Sequence, residues 1–311
     1  MTELTHRARG ALIGLAVGDA VGTTLEFKPR DSGGVLTDMI GGGPFGLEPG
    51  VWTDDTSMAL ALGESLDECG GFNAADLMNR FVDWWRNGNY SPTGECFDIG
   101  ITTRNALAKF ERDGDPFAGS RSPDAAGNGS LMRLSPVAIW GVNAGEMAMR
   151  EVARAQSSTT HAARTCLDAC EAYSIILRGA ILEGDFEKTL AGCGGMDLIQ
   201  PIASIVSGSW RGKTRDEIAS SGYVAHSLEA ALWCVGQGGN FREMVLRAAN
   251  LGDDADTTAA ITGQLAGALF GATGIPQGWL AKLAWYDRIE SLADRLLEAA
   301  SDAASEPLAE L

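Results

Sequence analysis

Nearly every periodic stretch of this chain repeats its apolar residues at helical spacing, and almost none alternates as a half-buried strand would. Residues 10–21 combine that spacing with small residues, which let a helix pack closely against its neighbours and mark a central helix. Further helices are expected from Met58 onward and over 74–85, 102–112, 223–235, 241–249 and 281–300. A short helix over 144–156 should end near Ser157, Ser158, Thr159 and Thr160, whose hydroxyls read as the N-terminal cap of a long helix over 161–182. No motif repeats with a period of twenty to fifty residues, which argues against a solenoid. The expected fold is all-α, a single multi-helical domain over 1–311, with glycine-rich loops carrying the function and a poorly structured tail after about residue 300.

The remaining stretches read as connections. Residues 31–50 are rich in glycine and proline, and so long a loop inside a compact domain is usually functional. Residues 192–211 are ambiguous, although Ile199, Ile202, Ile205 and Val206 suit a helix better than a strand. Gly208–Thr214 falls one residue short of a phosphate-binding P-loop and follows no clear strand, so a plain loop is expected there.

Charge and cysteine content exclude several classes. Acids outnumber bases 41 to 24, a formal charge of −17, so a protein that coats nucleic acid is unlikely on physical grounds. The six cysteines form no C-x-x-C pair, and with only three histidines a closed Cys/His zinc site is not expected. The polar N-terminus is neither a signal peptide nor a membrane span, and the expected compartment is the cytoplasm.

Two acidic clusters stand out, each at the mouth of an apolar helix. One is Thr53-Asp54-Asp55 and the other is Asp254-x-Asp256-Thr257, preceded by Asp253 and followed by Thr258. Oxygen groups at such a position can cap the orphan N–H groups of the first turn, or they can hold a hard cation. Residues two apart on a regular helix point about 200° apart, so Asp254 and Asp256 converge only in the turn before the helix. If the two mouths face each other, four carboxylates share a small volume, and two divalent cations would neutralise them. The residues alone leave both readings open.

The ordered set Gly18-Asp19-Ala20-Val21-Gly22 with Glu26, Trp52-Thr53-Asp54-Asp55-Thr56, Asn128-Gly129-Ser130-Leu131-Met132-Arg133, Thr160-His161 and Gly252-Asp253-Asp254-Ala255-Asp256-Thr257 resembles the ADP-ribosylglycohydrolase family. The bacterial branch that includes the dinitrogenase reductase-activating glycohydrolase is the nearest in pattern, and the likeness runs from about residue 8 to residue 275. It implies an all-α hydrolase that removes ADP-ribose from modified side chains, most simply from arginine, with two Mg²⁺ or Mn²⁺ ions in a cleft. Thr53, Asp54, Asp55, Asp254, Asp256 and Thr257 would then hold the metals. Glu26 and Asp98 would be the acids of catalysis, and Asn128, Gly129, Ser130, His161 and Tyr223 would line the ligand pocket. The expected partner is ADP-ribose or an ADP-ribosylated protein, with the chain acting as a monomer.

Each assignment has a plainer alternative in the residues themselves. Glu26 could be a solvated loop acid, Asp98 a helix cap, His161 a satisfied residue at a helix start and Tyr223 part of the core. Many family members carry two glycines before the first aspartate of the last motif, whereas Asp253 stands at the second of those positions here. Asp253 is therefore expected outside the ligand set. An isoprenoid-diphosphate site would need Asp-Asp-x-x-Asp, which neither cluster provides. A binding protein that has lost the chemistry is opposed by the intact acid set.

Overall fold

The computed structural model describes residues 2–32 and 34–303, and among them it holds helices and three isolated bridges but no strand. In chain order the helices are α1 (Glu3–Gly22), α2 (Asp54–Glu68), α3 (Ala74–Asn87), α4 (Ile101–Asp113), α5 (Ser135–Ala144), α6 (Glu146–Thr160) and α7 (Arg164–Glu183). The second half adds α8 (Phe186–Ala191), α9 (Ile202–Val206), α10 (Val224–Gly236), α11 (Phe241–Ala249), α12 (Ala255–Phe270), α13 (Gln277–Leu280) and α14 (Tyr286–Ala303). The all-α expectation is met. None of these helices is long and apolar enough to cross a membrane. Most of the tail expected to lose structure lies outside the described residues.

Two helices form the axis. From Gly10 to its end α1 is buried on every side, and so is α12 from Ala255 to Ala268. A helix without an exposed face belongs in the middle of a core. The two run antiparallel with backbones almost touching, because glycine recurs every fourth residue on the facing side of α1. A Cβ added at Gly14 would lie 2.2 Å from the carbonyl oxygen of Gly263, and one at Gly18 would lie 2.1 Å from that of Ala259. The small residues read as a packing stripe in the sequence thus do that work, and only glycine fits. Helices α7, α10, α11 and α14 pack around this pair.

The register of that contact brings Gly22, at the C-terminal end of α1, against Ala255 and Asp256 at the N-terminal end of α12. Beyond Gly22 the chain makes one 3₁₀ turn and returns along the approach to α12. The N–H of Phe27 donates to the carbonyl of Asp253, and the N–H of Asp253 donates to the carbonyl of Lys28, both at 2.8 Å. Residues 26–28 and 252–254 are thereby fixed side by side.

Three local expectations are revised. Ser157–Thr160 form the last turn of α6, not the start of the next helix, and α7 begins only at Arg164. The hydroxyls of Ser158 and Thr159 donate to carbonyls three or four residues back, which a run of Ser and Thr can do at a helix end as well as cap a helix start. The stretch 192–211 contains only the short α9 and turns. Gly208–Thr214 is a loop, as expected, and Arg211 within it pairs with Glu187 at 2.6 Å.

Gly→Ala in a helix interior ordinarily stabilises by about 1 kcal/mol. For Gly14→Ala the sign should reverse, because the new methyl meets backbone that cannot rotate away. Chemical denaturation is expected to register a loss of about 2 kcal/mol or more. An unchanged or increased stability would contradict the backbone contact.

Candidate active site

The N-termini of α2 and α12 open onto one cavity of about 850 Å³, lined among others by Glu26, Asp54, Asp98, Asn128, Asp254 and Asp256. The two acidic clusters, some two hundred residues apart in sequence, therefore do face each other. Neither helix is capped by its N-cap residue, and the one first-turn donor met by a side chain from within the clusters is the N–H of Thr257, which donates to Asp256 Oδ1 at 2.6 Å. Thr53 and Asp254 occupy the two N-cap positions without a side-chain capping bond.

The caps come from α1 and the turn after it. Asp19 Oδ1 accepts from the N–H and the hydroxyl of Thr53, both at 2.8 Å. Its Oδ2 accepts from the N–H of Thr56 at 3.0 Å and the hydroxyl of Thr56 at 2.6 Å. Glu26 Oε2 accepts from the N–H groups of Ala255 and Asp256 at 2.8 and 3.2 Å. An acid in the last turn of a helix opposes that helix's dipole, so Asp19 is explained by α2, whose positive end it meets. In the sequence Asp19 stands within the first motif without an assigned role. The signal available was an acid at the wrong end of an apolar helix.

With these caps supplied from outside, most of the clusters' carboxylate oxygens are left to one another and to the cavity. Asp19, Asp55 and Asp256 each offer an oxygen within one small sphere, as do Glu26, Asp254 and Asp256, so Asp256 is common to both groups. Asp19 has all four lone-pair sites occupied by donors, which leaves it bracing the group. Asp55 is the opposite case. It is fully buried and its Oδ1 has no hydrogen-bond partner among the described residues. A buried carboxylate oxygen without a donor is costly, and a cation at that point would relieve it. The hydroxyl of Thr53 donates to Asp19 Oδ1 at 2.8 Å and lies 3.2 Å from Asp256 Oδ2, which places its oxygen beside the same group. The hydroxyl of Thr257 lies 3.4 Å from Asp55 Oδ2. The donor set is all oxygen, which suits a hard divalent cation.

The electrostatics point the same way. Burial first, then neighbouring acids, pushes Asp54 and Asp55 well above the usual carboxylate range. Asp19, Asp254 and Asp256 are raised to about 7, each chiefly by burial and then by another aspartate. Asp98 is raised to about 6 by burial, and Glu26 to about 12 by burial and then Asp256.

The remaining assigned residues are spread unevenly. Asn128 lines the cavity and donates from Nδ2 to Asp254 at 2.6 Å, so it orients a carboxylate as well as facing the ligand space. Gly129 and His161 also line the cavity. Asp98 lies on the wall with a left-handed backbone and does not cap α4, whose N-cap is Gly100. Ser130 is fully buried and bonds to the Ser157 hydroxyl at 2.8 Å, behind the loop and off the cavity wall. Tyr223 is off the wall too, half-buried with its ring edge-on to His226, while Ser221 and Gly222 beside it face the cavity. Asp253 lines the cavity but is exposed, belongs to neither carboxylate group and has φ 55°, a backbone conformation that favours glycine. Phe27, unremarked in the sequence, lines the cavity with 64% of its surface exposed and packs edge-on to Phe45.

A family model described as ADP-ribosylglycohydrolase matches residues 1–306. The chain belongs to the ADP-ribosylglycohydrolase family. Among its relatives, the ADP-ribosylarginine hydrolase Tri1 of Pseudomonas putida (strain GB-1) is 48% identical over 299 residues, 96% of this chain and 80% of the relative. The ADP-ribosyl-dinitrogen reductase glycohydrolase of Rhodospirillum rubrum is 34% identical over 284 residues, 89% of this chain and 90% of the relative. A solved structure titled ADP-ribosylglycohydrolase-related protein complex superposes with a TM-score of 0.85 at 39% identity, over 96% of this chain and all of that one. As an ADP-ribosylglycohydrolase the chain is a hydrolase, and the family resemblance read from its ordered motifs is borne out.

Because folding raises these carboxyl pKa values, protonation favours the folded state of the metal-free chain. That stabilisation is complete below about pH 4 and is lost as pH climbs through about 7, where Asp19, Asp254 and Asp256 ionise in the fold. Thermal melts of chelator-treated protein should fall between about pH 5 and about pH 8, and Mg²⁺ or Mn²⁺ should restore most at the alkaline end. A flat profile, or no response to either cation, would contradict the cluster's assignment.

Proposed function

We propose that this chain hydrolyses the N-glycosidic bond between ADP-ribose and an arginine side chain of a modified protein, using two divalent cations, Mg²⁺ or Mn²⁺. The carrying observation is the meeting of two acid-rich helix mouths, with the unpartnered Asp55 Oδ1 between them, beside a cavity of about 850 Å³. The choice of arginine is supported by the relative from Pseudomonas putida, which is named for that linkage and shares 48% of the aligned residues.

Thr53, Asp54, Asp55, Asp254, Asp256 and Thr257 would hold the cations. Bound there, divalent ions supply Lewis acidity, a grip on ribose hydroxyls and an acidified water. The chain's own groups do the rest. Hydrolysis adds the hydroxyl of water to the anomeric carbon and returns a proton to the guanidine nitrogen. Asp98, raised to about 6 by burial and standing on the cavity wall, is the acid suited to exchange that proton near neutral pH. Glu26 has one oxygen committed to the first turn of α12. It serves better as a brace beside Asp256 than as a base. Gly127, Asn128 and Gly129 form a lining loop suited to an anionic diphosphate.

The test is release of ADP-ribose from two peptides of one sequence, linked through arginine or through serine, in the presence of Mn²⁺. Turnover of the arginine peptide is expected, and Asp256→Asn should lower it by about a hundred-fold or more while also weakening Mn²⁺ binding. Turnover confined to the serine peptide would overturn the linkage. Full activity in Asp256→Asn would overturn the site.

A further inference from the structure

Behind the cavity wall lies a cation with an unusual set of partners. Arg133 is fully buried, with its guanidinium 4.7 Å from the centroid of the Phe81 ring. Its hydrogen-bond partners are all neutral. Nε donates to Gln156 Oε1 and Nη2 to the Gln156 carbonyl, both at 2.9 Å, and Nη2 also reaches the Thr160 hydroxyl at 3.0 Å. A buried charge without a carboxylate is costly to keep, so its effect on what it touches is of interest.

The Thr160 hydroxyl lies between Arg133 and the cavity, and its oxygen is 2.8 Å from His161 Nδ1. A guanidinium can only donate, so the Thr160 oxygen accepts from Nη2. The hydroxyl's own proton then needs an acceptor. The carbonyl one turn back, Gln156, already takes Arg133 Nη2 at 2.9 Å and the Thr159 hydroxyl at 2.7 Å. His161 Nδ1 is the remaining neighbour. Were Nδ1 to carry a hydrogen, the fully buried Thr160 proton would be left without a partner. Nδ1 therefore accepts, and in the neutral ring the hydrogen sits on Nε2. Burial first, and then the Arg133 charge, push the imidazole down to about 3, in keeping with a neutral ring.

The far edge of that ring faces the ligand space. His161 is 2% exposed, lines the cavity and makes no other side-chain hydrogen bond among the described residues. It is also clamped. A Cβ at Gly129 would lie 2.7 Å from His161 Cε1 and 3.1 Å from Nε2, and one at Gly127 would lie 3.3 Å from Nε2. The glycines of the lining loop leave room for the ring and none for its rotation.

We propose that Arg133 and Thr160 are positioning residues that hold His161 as the neutral Nε2–H tautomer, so that it offers a donor and no acceptor to an anionic oxygen of the ligand. The identity of that oxygen, a diphosphate oxygen of ADP-ribose, rests on the function proposed above. The relay itself does not. In a cavity walled by carboxylates, a donor fixed in this way favours an anionic group without adding a titrating charge of its own.

Nitrogen-15 NMR of the histidine rings in the full chain near pH 7 reads the tautomer directly, with His161 identified by loss of its signals in His161→Gln. The expected result is a protonated Nε2 and a bare Nδ1. Thr160→Val keeps the side-chain shape but removes the hydroxyl, and should mix or invert the tautomers, whereas Thr160→Ser should restore them. ADP-ribose binding should weaken roughly ten-fold in Thr160→Val and stay near the parent's value in Thr160→Ser. A protonated Nδ1 in the parent protein, an imidazolium, or an unchanged tautomer in a folded Thr160→Val would overturn the relay. The parent spectrum alone decides it if Thr160→Val does not fold. An inverted tautomer with undiminished ADP-ribose binding would overturn the donor role. If the parent protein binds no ADP-ribose, the proposed function fails while the tautomer result still decides the relay.

Discussion

The backbone contact between α1 and α12 is the constraint on which the site depends. With glycine on the facing side of α1, the two helices approach until carbonyl oxygens fill the space a methyl would take. Such a contact has little freedom to slide, because each glycine must meet its own partner. Its register delivers the C-terminal end of α1 to the N-terminal end of α12, and so brings Asp19 and Glu26 to the acidic helix mouths. An error of one turn would move these acids by about 5 Å and leave the first turns of both helices without their caps.

The caps in turn decide what the other acids are for. A helix N-terminus rich in Asp and Thr would ordinarily satisfy its own orphan N–H groups. Here Asp19 does so for α2 and Glu26 for α12, across space, while Asp54, Asp254 and Asp256 line the cavity and Asp55 lies buried behind it. Capping and cation binding are alternatives in the sequence; in the fold Asp19 and Glu26 do the capping, which leaves the cation-holding role proposed above to other residues. Several buried acids in one small volume repel one another strongly, which is why their pKa values rise and why the cluster is matched to positive charge brought from outside.

Much of this was legible in the residues. Helical period and the small-residue stripe pointed to an all-α fold around a central helix, and the two clusters were visible as oxygen-rich helix mouths. Their meeting was not readable from spacing, since it depends on a contact between helices at opposite ends of the chain. The ordered motifs supplied that link by resemblance. Ser157–Thr160 misled because hydroxyl residues serve a helix end as readily as a helix start. Ser130 and Tyr223 belong to cavity-forming segments, but the side chains seen at the cavity belong to their neighbours, a distinction set by local backbone geometry. Asp19 carried no cue beyond its place at the wrong end of a dipole, and Phe27 none beyond following Glu26.

The central claim is the division of labour between capping and cation-holding acids. Anomalous X-ray scattering at the manganese edge, from crystals of the full chain grown with Mn²⁺, tests it most directly. Two manganese peaks are expected, with Asp256 at both and with Asp19 still bonded to the N–H groups of Thr53 and Thr56. A manganese ion coordinated by Asp19, or the N–H groups of Thr53, Thr56 and Ala255 bonded to Asp54, Asp55 or Asp254 in place of Asp19 and Glu26, would contradict it.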